Sequence, residues 1–157
     1  MQGTRIAIIV ALVLLFSVSC WTQSSRPSNG STRERLIGAW RLVSDEEIVN
    51  GKSTKLDQTG ILTYTSDGHM SVQIMDRNPN ATQDAGPVQY SANGYEGYFG
   101  RFDVNEATHS VTHHVEGALV RSLIGKDLTR IYTFSGNQLI LKSSRADENW
   151  QIIWEHY

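Results

Sequence analysis

Apolar and polar side chains alternate with a period of two along the chain from about residue 40 onward. This period is typical of strands that bury one face. Turn sequences such as Asn50-Gly51 and Asp67-Gly68 separate the alternating segments, as expected between antiparallel strands. The pattern therefore predicts an all-β fold, an antiparallel barrel or sandwich. The predicted strands cover residues 40–49, 60–65, 69–75, 98–104, 110–116, 119–123, 127–134, 138–143 and 149–155.

The segment 76–97 interrupts the alternation, because it is long and polar and contains two of the chain's three prolines. Connections of this length inside a compact domain are often functional loops. We therefore expect one long loop here that acts as a lid, with Tyr90 and Tyr95 as its aromatic residues. A short helical turn is expected near residues 91–96.

The inward face of the predicted strands combines apolar residues with a few polar ones. The polar members are Tyr64, Tyr98, His113, Arg130 and Tyr132. An inward guanidinium needs a partner, since burying an unpaired charge is costly. This mixture suits a small-ligand pocket, and it equally suits a small barrel that its own side chains fill. The apolar members are Trp40, Leu42, Leu62, Met70, Val72, Ile74, Phe102, Val104, Val111, Val115, Phe134, Leu139, Leu141, Trp150, Ile152 and Trp154.

Two adjacent histidines lie in the strand predicted for residues 110–116, where neighbouring side chains point to opposite faces. His113 shares its face with Val111 and Val115 and is predicted to point inward, whereas His114 is predicted to face outward. Two interpretations of His113 remain open. It is either a neutral buried ring bonded to a tyrosine, or an acid/base group in an isomerase or cyclase.

No metal or cofactor is predicted. His109 and His113 would lie roughly 13 Å apart along a strand, too far for one ion with ligands at about 2 Å. His114 and Glu116 are predicted on the outer face without a third ligand. The chain has no glycine-rich phosphate-binding motif, nucleotide fingerprint or Ser/His/Asp pattern.

The N-terminus is typical of a signal peptide over residues 1–19, with Arg5 before an apolar run and small residues at the cleavage position. Cys20 is the only cysteine, and its setting resembles the lipobox of bacterial lipoproteins, in which the cysteine is acylated. Ser17 stands where an aliphatic residue is usual, so cleavage that releases a secreted or periplasmic protein is the alternative. Either way, an extracytoplasmic location is expected.

Residues 20–35 are rich in Ser, Thr, Asn and Arg and are predicted to form a flexible tether. One domain, residues 36–157, follows. Without the leader, 13 basic residues face 16 acidic ones, because Arg5 is lost from the chain's 14. No basic patch appears, so nucleic acid is not expected as a partner.

Several motifs of this domain, in their order and spacing, resemble the bacterial and fungal lipocalin-like domain family. The resemblance implies an antiparallel barrel of eight or nine strands with a central cavity, without fixing a function. The matching residues are 36–44, 60–64, 67–71, 98–102, 111–117, 130–132 and 138–141.

The Gly38-x-Trp40 element is similar to the first strand of true lipocalins, in which the Trp closes the barrel against an Arg. This similarity implies a cation–π contact between Arg130 and Trp40. The alternative is that Arg130 and His113 face a hydrophobic ligand that carries a carboxylate or phenolate. The chain ends with His156 and Tyr157, which depart from the family's Trp-x-Arg ending.

The favoured function is binding of a small hydrophobic ligand in the barrel cavity by an extracytoplasmic protein. The predicted ligand-binding residues are Tyr64, Tyr98, His113, Arg130 and Tyr132. A lipid anchor at Cys20 would attach the protein to a membrane. The alternatives are the isomerase or cyclase with His113 as its acid/base group, and a filled barrel that serves as a structural or interaction module. The oligomeric state does not follow from the sequence.

Overall fold

The computed structural model describes residues 30–77 and 94–157. In these ranges a short helix precedes nine strands that form one antiparallel sheet. The elements are α1 (Thr32–Leu36), β1 (Gly38–Val49), β2 (Lys52–Leu56), β3 (Gln58–Tyr64), β4 (His69–Asp76), β5 (Tyr95–Asn105), β6 (Ser110–Ala118), β7 (Asp127–Ser135), β8 (Gln138–Ser143) and β9 (Trp150–His156).

The sheet closes on itself through β1. The first four residues of this strand pair with β3, and most of its length pairs with β9, from Trp40 opposite His156 to Glu47 opposite Trp150. Each strand from β3 to β8 pairs with the next strand along the chain, and β9 pairs with β1. Eight strands therefore form a closed barrel. The remaining strand, β2, pairs only with the C-terminal half of β1. The prediction of an all-β antiparallel barrel is confirmed.

Two strand predictions were wrong. Residues 119–123, predicted as a strand, belong to the connection between β6 and β7 and contain a 3₁₀ helix, Arg121–Leu123. The strand β6 ends at Ala118, and beyond it the Leu119 backbone nitrogen still donates to the Gly97 carbonyl of β5 at 2.9 Å before the 3₁₀ helix begins. Conversely, β2 was missed because its sequence KSTKL has a single apolar residue, and its pairing with β1 makes it a strand.

The end of the barrel near the start of β1 is closed by α1. Leu36 is fully buried, and its carbonyl accepts a hydrogen bond from the Trp40 indole nitrogen at 2.8 Å. Two arginines of the helix also cover aromatic rings of the barrel, Arg35 over Phe134 and Arg33 over Phe102. The closed end is therefore a packed plug of helix and aromatic side chains.

The predicted tether was too long at its C-terminal end, because residues 32–35 are helical. The helix begins at a capping box, in which the Ser31 hydroxyl accepts from the Glu34 backbone nitrogen while the Glu34 carboxylate accepts from that of Ser31. The leader, Cys20 and residues 20–29 of the predicted tether lie outside the described residues. In the described ranges, no helix has the length and hydropathy needed to span a membrane.

A β-bulge in β1 changes which of its side chains face the interior. Opposite β9, Leu42 pairs with Trp154 and Ser44 with Ile153, which leaves Val43 as the extra residue. Before the bulge the even-numbered residues point inward. After it Asp45 and Glu47 line the cavity at the open end of the barrel.

Candidate functional site

A cavity of about 420 Å³ occupies the barrel interior toward the end away from α1. Its walls combine aliphatic side chains and two indoles with polar groups concentrated toward the opening. The presence of this cavity favours the expectation of a ligand pocket over that of a barrel filled by its own side chains. The apolar lining consists of Leu56, Leu62, Val72, Ile74, Leu141, Trp150, Ile152 and Trp154, and the polar lining of Asp45, Glu47, Gln58, Glu96, Tyr98, His113, Arg130 and Glu148.

His113 forms part of the cavity floor and is held between two tyrosines. Its Nε2 lies 2.7 Å from the Tyr64 hydroxyl and its Nδ1 lies 3.0 Å from the Tyr98 hydroxyl. Only 1% of the residue is exposed. A neutral imidazole has one donor and one acceptor nitrogen, so one tyrosine donates to the ring and the other accepts from it.

The His113 ring and the hydroxyls of Tyr64 and Tyr98 are neutral at physiological pH. Burial and, to a lesser extent, the Arg130 charge lower the pKa of His113 to about 3. Burial raises the pKa of Tyr98 to about 12 and that of Tyr64 well above its usual value. Since both ring nitrogens are hydrogen-bonded and burial disfavours the protonated ring, this arrangement fixes the cavity floor.

Arg130 points into the cavity with its guanidinium carbon 4.9 Å from the centre of the Trp150 ring. One of its terminal nitrogens donates to the Thr129 carbonyl at 3.3 Å. The expected stacking of Arg130 on Trp40 was wrong, because the two residues lie at different heights along the barrel. The Trp40 and His156 rings instead meet edge to face, with their centres 4.7 Å apart. His156 therefore takes part in closing that end.

The structure places the five predicted binding residues at different depths. Tyr98, His113 and Arg130 line the cavity. Tyr64 lies beneath it as the partner of His113. Tyr132 lies near the closed end, where its hydroxyl donates to the Thr32 hydroxyl of α1 at 3.3 Å.

Four carboxylates surround the cavity opening, and the sequence analysis identified none of them. We call this group the acidic mouth; it consists of Asp45, Glu47, Glu96 and Glu148. Burial, together with the charges of Glu96 and Glu47, raises the pKa of Asp45 to about 6. Removal from bulk water also raises the pKa of Glu96, against the opposing effect of Arg130. Asp45 and Glu47 escaped detection because the bulge in β1 reverses the alternation.

Two polar atoms of the cavity walls are buried without a hydrogen-bond partner among the described residues. They are the Trp154 indole nitrogen, at a side chain only 1% exposed, and the Gln58 side-chain oxygen. The amide nitrogen of Gln58 donates to Asp76 at 2.9 Å, so only its oxygen is unpaired. Buried polar atoms without partners are rare in proteins, and these two belong to residues that line the cavity.

The second histidine of the pair faces outward, as predicted. His114 Nδ1 lies 2.7 Å from Asp127 and its Nε2 lies 3.0 Å from Asp103. The hydrogen bond with Asp127, above all, raises the pKa of this imidazole. The described residues contain no group of three or more His, Cys, Asp or Glu side chains arranged to hold a metal ion.

Residues 78–93 of the expected lid, which include Tyr90, lie outside the described residues. Of the helical turn expected near residues 91–96, residues 91–93 lie outside the described residues, and Tyr95 and Glu96 belong to β5 instead. The Tyr95 hydroxyl donates to the Gln73 side chain at 2.7 Å on the outer face of the barrel.

Comparison with known proteins identifies the fold family. Residues 37–156 match the model of the lipocalin-like domain. No curated protein sequence matches the chain at a significant level.

Solved structures with a similar fold include a lipocalin-like protein from Bacteroides uniformis, 16% identical, with 78% of this chain and 99% of that chain covered and a TM-score of 0.48. An uncharacterized protein from Bacteroides eggerthii is 11% identical, with 78% and 99% covered and a TM-score of 0.47. A redesigned β-barrel is 12% identical, with 80% and 94% covered and a TM-score of 0.45. The family match, which covers most of the chain, establishes that this protein belongs to the lipocalin-like domain family.

Proposed function

We propose that this protein binds a small hydrophobic molecule in the cavity of its barrel and acts outside the cytoplasm. The observation that carries the proposal is the cavity itself, about 420 Å³ in volume and lined by eight apolar and eight polar residues. Protein pockets for small molecules are typically a few hundred Å³ in volume, mostly apolar, with a few polar groups that fix orientation.

The walls and the floor of the cavity are suited to different parts of a ligand. Side chains such as Leu62, Val72 and Leu141 are buried core residues that also face the cavity, so an apolar ligand body would replace water beside them. The Tyr98 and His113 pair fixes the floor in one arrangement. A preformed floor lowers the entropic cost of binding.

The proposed location rests on the N-terminal sequence. A leader over residues 1–19 would export the chain, and acylation of Cys20 would anchor it to a membrane. Cleavage by ordinary signal peptidase would instead release a secreted or periplasmic protein. Both routes bring the barrel to the same side of the membrane.

The binding proposal is tested with two tryptophan variants of neighbouring residues in β4. Ile74 lines the cavity and is 7% exposed, whereas Met75 points outward and is 40% exposed. We expect Ile74→Trp to fill part of the cavity and to weaken ligand binding at least about tenfold. Met75→Trp should bind as the wild type does, because its added ring remains outside the barrel.

Binding is measured in two ways. Native mass spectrometry of protein purified from its own host reports a co-purifying small molecule, and titration with the neutral fluorescent probe N-phenyl-1-naphthylamine reports access to the cavity. The proposal requires bound mass or probe binding in the wild type and in Met75→Trp, with a clear reduction in Ile74→Trp. Equal binding in all three proteins, or none in the wild type, would overturn it.

A further inference from the structure

We propose that the cavity selects cationic amphiphiles, with a protonated amine of the ligand held between Asp45 and Glu96 and its apolar body deeper in the barrel. This inference rests on the proposed binding function and adds the charge of the ligand. It replaces the carboxylate or phenolate expected from the sequence.

The charge balance of the cavity lining is negative. Four carboxylates of the acidic mouth face a single guanidinium, that of Arg130, among the described lining residues. The field of Arg130 already acts on two of these carboxylates, since it lowers the pKa of Glu96 and of Glu148. A ligand carboxylate would have to pass and remain close to like charges, whereas an ammonium group would be attracted.

Asp45 lies where a cation would relieve the largest electrostatic cost. The carboxyl is partly buried after the bulge in β1, and the neighbouring Glu96 and Glu47 charges disfavour its ionised form. Asp45 and Glu96 also share the smaller pocket beside the mouth with Gln58. An ammonium group between the two carboxylates would offset their repulsion and allow charge-assisted hydrogen bonds.

Two polar atoms without hydrogen-bond partners in the described ranges are a second observation, separate from the acidic residues. The Gln58 oxygen lacks a donor among the described residues, and it lies at the same opening as Asp45 and Glu96. A protonated primary amine offers three donors and no acceptor, which suits the carboxylates of Asp45 and Glu96. Deeper in the cavity, the unpartnered indole nitrogen of the buried Trp154 fits an acceptor atom in the body of the ligand.

An organic cation fits this mouth better than a metal ion. The described residues hold no group of carboxylates or imidazoles in a metal-binding arrangement. The mouth continues directly into apolar walls formed by residues such as Ile74 and Ile152. The lining therefore suits a molecule with a charged end and an apolar body.

The test compares ligands that differ only in their head group. Decylamine, 1-decanol and decanoate are each titrated against N-phenyl-1-naphthylamine bound to the full protein at pH 7.5. We expect decylamine to displace the probe at a concentration about tenfold lower than decanoate does, with decanol between them. Asp45→Asn and Glu96→Gln should each weaken decylamine several-fold and change decanol less than about twofold.

Glu116→Gln is the matched control, because it also removes one carboxylate but from the outer face of β6, beside Arg101. It should leave all three ligands unchanged. If decanol displaces the probe while decanoate binds as well as decylamine, or if both mouth variants leave decylamine unchanged, the cation proposal is overturned and the binding function stands. If neither the probe nor any of the three ligands binds the folded wild type, the binding function itself fails.

Discussion

The Asp45 carboxyl lies among three other carboxylates at the cavity mouth, and this position costs folding free energy. Its pKa rises from 3.8 to about 6 in the folded protein, so the folded state binds more protons than the unfolded state between these values. Stability therefore falls as pH rises through this window, and the cost is fully present above about pH 6. The residue proposed to bind the ligand is thus one that destabilises the empty barrel.

Asp45→Asn is accordingly expected to stabilise the ligand-free protein. At pH 8 the free energy of unfolding should rise by about 1–2 kcal/mol, a value reduced from the full linkage energy because the carboxyl retains contact with solvent. At pH 3.5 most of the gain should disappear, since the acid is then mostly protonated in both states. Urea unfolding at the two pH values measures the difference, and a gain of equal size at both would contradict this account.

At the residue scale, the alternation of apolar and polar residues correctly predicted most of the side chains that point into the barrel. It did not predict their positions along the barrel axis. It placed His113 inside and His114 outside, because one strand period decides between two faces. It did not show which indole Arg130 meets: the similarity to true lipocalins implied Trp40 as one of two alternatives, whereas the guanidinium lies over Trp150. The choice between them depends on how far the strands are shifted past one another around the barrel. That shift is fixed by long-range pairing, which a local pattern does not contain.

At the scale of elements, two bulges shape the barrel wall. The first, in β1, turns Asp45 inward, and no Gly or Pro marks it in the sequence Leu42-Val43-Ser44. The second shifts the pairing of β5 with β6, from Phe99 opposite Gly117 to Gly100 opposite Val115. The strands themselves could be predicted from the sequence, whereas the bulges could not, because an extra residue is defined only relative to the partner strand.

The second bulge gives a prediction about glycine in β5. A Cβ atom on Gly100 would lie 1.9 Å from the His114 carbonyl oxygen, which belongs to the backbone of β6. Gly100→Ala should therefore force the two strands apart and lower the free energy of unfolding by at least about 2 kcal/mol. Thermal and urea unfolding measure this loss.

Gly97→Ala is the control in the same strand. There the nearest atom to a new Cβ is a ring carbon of Tyr95 at 3.0 Å, in an exposed side chain that is able to move. Its cost should stay below about 1 kcal/mol. Similar losses for the two variants would mean that the close approach of β5 to β6 at Gly100 does not limit stability.

At the scale of the whole molecule, α1 and the cavity lie at opposite ends of the barrel. The chain enters the barrel through α1, where Leu36 and Trp40 close the interior, while the acidic mouth opens near the end of β1. If Cys20 carries a lipid, ten residues, 21–30, separate the attachment point from Ser31 at the closed end. Such an anchor leaves the mouth accessible to ligands from the solvent.

We expect Cys20 to decide whether the barrel is held at a membrane. The full-length gene is expressed in a bacterial host that processes lipoproteins, in the presence of an alkyne-bearing fatty acid. We expect the wild type to carry the label and to sediment with membranes, and Cys20→Ser to lose both properties. Ser19→Ala keeps a small residue before the cysteine and should be labelled like the wild type. An exported wild-type protein that carries no label and remains soluble would assign the leader to ordinary signal peptidase and overturn the lipid anchor.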